Sequence, residues 1–146
     1  MKLVLVVSAA LAACGFGACS PKLTTDTLLP ADTLSLQGTW HLVALSGTPL
    51  TEQDTLRGVP ELTFRFAEGR YGGTTGCNRM GGPISWGPKG RVSFGAGFST
   101  KIACPGTLEA RLHQALRTVT HYRLRGDELL LLDSKGALLR YLRHTP

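Results

Sequence analysis

Thr107-Leu108-Glu109-Ala110-Arg111-Leu112-His113-Gln114-Ala115-Leu116-Arg117-Thr118-Val119 is the stretch on which the fold turns. Leu108, Leu112, Ala115, Leu116 and Val119 fall in one sector about 100° wide at helical spacing, while Glu109, Arg111, His113, Gln114, Arg117 and Thr118 lie outside it. Thr107 suits a cap and Pro105 the approach, so this stretch predicts one amphipathic helix. The sequence on either side reads as strand.

Upstream, Trp40, Leu42 and Ala44 alternate with His41 and Val43, and Leu62, Phe64 and Phe66 alternate with Glu61, Thr63 and Arg65. Both are half-buried strands. Ala67-Glu68-Gly69-Arg70 turns the chain into a strand at 71–75. Shorter strands follow at 84–86, 92–94 and 98–101, punctuated by Gly87-Pro88-Lys89-Gly90. Downstream, 121–125, 128–132 and 137–143 are joined through Gly126-Asp127 and Asp133-Ser134-Lys135-Gly136. The expected fold is α+β: a curved antiparallel sheet of about 7–8 strands, partly barrel-like, with one helix packed on its open side.

The N-terminus indicates export. After Met1-Lys2 an uninterrupted apolar and small-residue run extends over 3–13, which reads as a signal peptide. The run is shorter than the roughly 20 residues a membrane span needs. Leu11-Ala12-Ala13-Cys14 and Phe16-Gly17-Ala18-Cys19 both resemble the lipobox of bacterial lipoproteins, whose cysteine becomes the acylated first residue. Local spelling favours Cys14. Leader length and an even number of remaining cysteines favour Cys19. The division expected is a signal peptide at 1–18, a lipid anchor at Cys19 (alternatively Cys14), a tether rich in Thr, Pro, Asp and Leu at 19–36, and one domain at 37–146. Ser20 is not the Asp that resembles an inner-membrane retention signal, so the expected place is the outer membrane, facing the periplasm. Acyl chains would hold the protein there without a transmembrane helix; plain secretion is the alternative.

The formal charge is +6 and aromatics make up 7% of residues. An exported basic chain meets anionic lipid, lipopolysaccharide or cell-wall polymer rather than nucleic acid. His121, Arg123 and Arg125 alternate with Tyr122 and Leu124 and so share one strand face, with Arg140 and Arg143 extending the basic tail. That face is either a solvated exterior or a contact for anionic envelope material. A monomer without cofactors is expected.

Cys77 and Cys104 are the cysteines left in the exported body. As a disulfide they would close a loop of about 28 residues and stabilise a small domain by roughly 3–4 kcal/mol. The alternative is a reactive thiol at Cys104, just before a helix start, with His113 or His121 as base. Paired metal-ligand spacing is missing, so no metal is expected. Asn78, Arg79, Thr100 and Lys101, beside the two cysteines, form a candidate binding surface; Asn and Gly are also the residues a tight turn there requires.

Leu36-Gln37-Gly38-Thr39-Trp40, the loop Gly76-Cys77-Asn78-Arg79, Ser99-Thr100-Lys101 followed by Cys104, and the helix through Glu109 and Leu116 together resemble the META domain of HslJ-like bacterial lipoproteins. Met80 departs from the pattern where an aromatic often stands. The resemblance implies a non-enzymatic protein, since no reaction is established for the family, and an association with envelope and heat-stress tolerance through binding an envelope component or protein. Gly38-Thr39-Trp40 also resembles the first strand of lipocalin- and avidin-type barrels, so a small-ligand cup is the alternative. An inhibitor or chaperone-like partner of a secreted protein is a third reading.

Overall fold

The computed structural model describes residues 32–145. The leader, both anchor candidates Cys14 and Cys19, and most of the expected tether lie outside the described residues.

The chain begins with a one-turn helix α1 (Thr33–Leu36). It continues through β1 (Thr39–Leu45), β2 (Thr48–Pro49), β3 (Glu61–Arg65), β4 (Arg70–Thr74), β5 (Arg79–Gly87), β6 (Arg91–Phe94) and β7 (Phe98–Ser99). The main helix α2 (Leu108–Thr118) precedes β8 (His121–Arg125), β9 (Glu128–Asp133) and β10 (Gly136–Arg143). Strands pair antiparallel in the order β10-β9-β8-β6-β5-β4-β3-β1, and β1 pairs back with β10, so the pairing closes into a ring. The two-residue strands β2 and β7 hang on β1 and β5. The α+β architecture is therefore as expected, with eight strands in the ring and two short additions.

Alternation decides which side chains enter the ring. On β9, Leu129 and Leu131 are fully buried while Leu130 and Leu132 face outward half-buried; on β1, Trp40 and Leu42 point in. The ring's weakest link is β6–β8, which share the single register pair Arg91↔His121. Helix α2 packs against β6 there and buries Leu108, Leu112, Ala115 and Leu116, the sector its spacing marks out. Thr107 holds the cap position, but its side chain makes no capping hydrogen bond.

Residues just ahead of Gln37, which the expected division assigns to the tether, pack against the ring. Leu36 is fully buried, its carbonyl accepts the Trp40 indole N–H at 3.0 Å, and Arg143 donates to the carbonyls of Ser35 (2.5 Å) and Gln37 (2.6 Å). The Arg143 guanidinium also lies 4.4 Å from the Trp40 ring centroid. One buried leucine has no periodicity, so sequence pattern does not separate this plug from a tether. No helix among the described residues is long and apolar enough to cross a membrane.

Candidate binding cleft

The turn from β4 to β5 is built for close approach. Gly76 adopts φ +89°, and a Cβ on it would collide with the Gly58 carbonyl oxygen, so only glycine lets the two backbones touch. Cys77 follows and is disulfide-bonded to Cys104, with 6.1 Å between the Cα atoms. The bond removes the free thiol from Cys104 and with it the nucleophile reading. Among the candidate bases, His113 sits on α2, and His121 lies with Nδ1 3.0 Å from the Thr120 hydroxyl.

Asn78 is 1% exposed and holds the assembly together. Its Oδ1 accepts from the Thr100 hydroxyl and the Ile102 N–H, both at 2.8 Å. Its Nδ2 lies 2.9 and 3.1 Å from the two Glu109 carboxylate oxygens, 3.0 Å from the Ile102 carbonyl and 3.0 Å from Cys104 Sγ. The amide is thus a clamp between the β4–β5 turn, the segment before α2 and the first turn of α2. The buried Thr75 hydroxyl completes the turn by accepting the Asn78 N–H at 2.9 Å. Ser99 Oγ reaches the same Glu109 carboxylate at 3.2 Å.

This clamp fixes one wall of an open cleft of about 820 Å³ between the 95–103 segment and α2. Tyr71, Phe94 and Leu116 supply apolar lining, and Phe98 and Ile102 line it while remaining 56% and 58% exposed. The cations there are Lys101 and Arg117. The acid, Glu109, is engaged by Asn78 and Ser99, and His113 Nε2 stands 3.6 Å from it, buried and without a hydrogen-bond partner. Burial pushes the Tyr71 phenol above its ordinary range, with Arg117 and Arg70 pulling weakly the other way. An apolar bed of this volume with a cationic rim is suited to holding a ligand or a partner's side chains.

Asn78, Thr100 and Lys101 therefore line one cleft, while Arg79, exposed, lies outside the lining and joins it through its backbone N–H to the Thr100 hydroxyl at 3.0 Å. Sequence reasoning left out Glu109, Ser99 and Thr75. The i,i+4 spacing of Glu109 and His113 is a visible signal of a helix-surface pair; nothing local says that Asn78 lies beneath it. Among the described residues no group of three or more His, Cys, Asp or Glu could hold a metal ion.

A family model described as META domain matches residues 32–146. The chain belongs to the META domain family. The match starts at Asp32 and so takes in α1 with its buried Leu36. Among solved structures, an NMR structure of a protein from Burkholderia xenovorans is 24% identical with a TM-score of 0.60, covering 99% of this chain and all of that one. The crystal structure of a DUF4847 family protein from Bacteroides vulgatus is 19% identical with a TM-score of 0.59, over 80% of this chain and 98% of that one. A second NMR structure is 21% identical with a TM-score of 0.55, over 73% and 90%. These likenesses concern the fold. A comparison with curated proteins finds no match.

Proposed function

We propose that this META domain protein is a non-enzymatic, lipid-anchored envelope lipoprotein that binds an envelope component or protein in the cleft between the 95–103 segment and α2, and so contributes to envelope or heat-stress tolerance. The observation that carries the reading is a ready-made site. Phe98 and Ile102 stay exposed because the disulfide and the Asn78–Glu109 clamp hold their segment in place without a ligand. Preorganisation of this kind lowers the ordering cost of binding. The cup reading is less well supported, because Leu36 and Arg143 cover the Trp40 end of the ring.

Two measurements test this. Fatty-acid labelling in cells should be abolished by Cys19→Ser and retained by Cys14→Ser; labelling that survives both substitutions removes the anchor. Capture of a ligand from solubilised envelopes should be lost with Phe98→Ser/Lys101→Ala and kept with Arg57→Ala, a substitution outside the cleft lining. Equal capture by all three proteins removes the cleft from the proposal.

A further inference from the structure

Independently of the cleft, we infer that the outer face of β8, β9 and β10 docks on anionic lipid bilayers, with arginines taking lipid phosphates and leucines between them resting on the interface.

Register places the residues. On β8, His121, Arg123 and Arg125 are exposed on the outer face. Arg123 stands opposite Leu130, which in turn stands opposite Arg140; His121 stands opposite Leu132, which stands opposite Ala137. Arg91, exposed on β6, continues the cationic row beyond His121. The face therefore has Leu130 between Arg123 and Arg140, Leu132 between His121 and Ala137, and Glu128 between Arg125 and Leu142. Long cationic side chains can lay their stems on such leucines while their heads reach phosphates.

On the β6 and β8 side its charge is uncompensated. The acids nearest to it are already matched: Glu128 accepts from Arg140 Nε at 2.6 Å and Asp127 from Arg143 Nε at 2.8 Å. Asp133 is turned to the backbone N–H groups of Lys135 and Gly136 in the β9–β10 turn. Among the described residues Arg91, Arg123 and Arg125 have no ion-pair partner. A bilayer interface uses both an arginine row and apolar side chains beside it.

The length of the tether leaves this face accessible. The Asp32 carboxylate accepts the Tyr122 hydroxyl at 3.3 Å, so the chain enters at β8 from the side opposite its arginine row. With the anchor at Cys19 as proposed above, the residues up to Asp32 span at most about 45 Å, which keeps this face within reach of the bilayer.

The test uses the mature chain from residue 19 with Cys19→Ser, so that neither leader nor acyl chain contributes, and vesicles of phosphatidylcholine alone or mixed with phosphatidylglycerol. Co-sedimentation should occur with the anionic vesicles, fade as salt rises, and fail with phosphatidylcholine. Arg123→Ala/Arg125→Ala should weaken it roughly 30-fold, at the usual contribution of a basic side chain near an anionic surface. Arg57→Ala/Arg111→Ala removes the same charge elsewhere and should stay within about twofold. Equal loss in the two double variants, or no preference for phosphatidylglycerol, overturns the inference. So does arginine-dependent binding to soluble dextran sulfate without vesicle binding, which would identify a polymer ligand. Because the anchor is absent from this assay, a negative result leaves the proposal for the cleft standing.

Discussion

Asn78→Asp exchanges one amide nitrogen for oxygen and tests whether the clamp organises the cleft. The new oxygen would sit where Nδ2 now lies, 2.9 and 3.1 Å from the Glu109 carboxylate oxygens, in a side chain 1% exposed. A charge-assisted hydrogen bond, worth about 1.5–3 kcal/mol, is lost, and the Ile102 carbonyl loses its donor for about 1–3 kcal/mol more. The Glu109 side chain is 25% exposed and regains some water, so the sum is discounted to about 2–4 kcal/mol at pH 7. Two carboxylates this close share a proton, which raises the folded-state pKa of the pair above its unfolded value. A raised pKa contributes stability below the unfolded value that is lost as pH rises through the folded one, so the variant should recover part of its deficit at pH 5. Urea unfolding of oxidised protein, followed by tryptophan fluorescence at pH 7 and pH 5, measures both. A loss under about 1 kcal/mol, or the same loss at both pH values, would refute the clamp.

Sequence pattern carries the ring and its helix because each depends on a repeated signal: period two across Glu61–Arg65 and His121–Arg125, helical spacing across Leu108–Thr118. The disulfide was legible for a different reason, since Cys77 and Cys104 are the two cysteines an exported body would keep and a small domain gains from joining them. Leu36 was not legible, because a single residue buried by contacts from β1 and β10 leaves no period to read. The role of Asn78 was hidden in a similar way. Its acceptors and donors lie 22 to 31 residues downstream, and the turn beside the disulfide gave a sufficient local reason for an asparagine. Glu109 read as a solvent-facing helix residue because helical periodicity reports which face meets the core, not what a loop lays over the other face. The arginine row on β8 was visible as an alternation, yet that Arg123 flanks a leucine paired with Arg140 follows from strand register, which one sequence does not fix.

Leu36→Ala should cost about 2–4 kcal/mol in urea unfolding if α1 is a plug; a loss within about 0.5 kcal/mol would return 32–36 to the tether. Gly76→Ala should prevent stable folding, because its Cβ would meet the Gly58 carbonyl, whereas Gly126→Ala, with φ +57° and open space around it, should lose only about 1 kcal/mol; equal stability of the two proteins would refute the close approach. The chain's three tyrosines, Tyr71, Tyr122 and Tyr141, make alkaline titration decisive. Burial raises all three, Tyr122 to about 12 with the Asp32 carboxylate adding to the effect, and Tyr141 lies fully buried with its hydroxyl unpartnered. A raised folded-state pKa means the folded chain holds protons that the unfolded chain has released above about pH 10, so stability falls as pH climbs from about 10 through 12. Absorbance at the tyrosinate band should therefore stay flat through pH 10 and then rise together with loss of the folded circular-dichroism signal. A tyrosinate step near pH 10 in folded protein would mean that at least one ring meets solvent, and would contradict the packing of the ring interior.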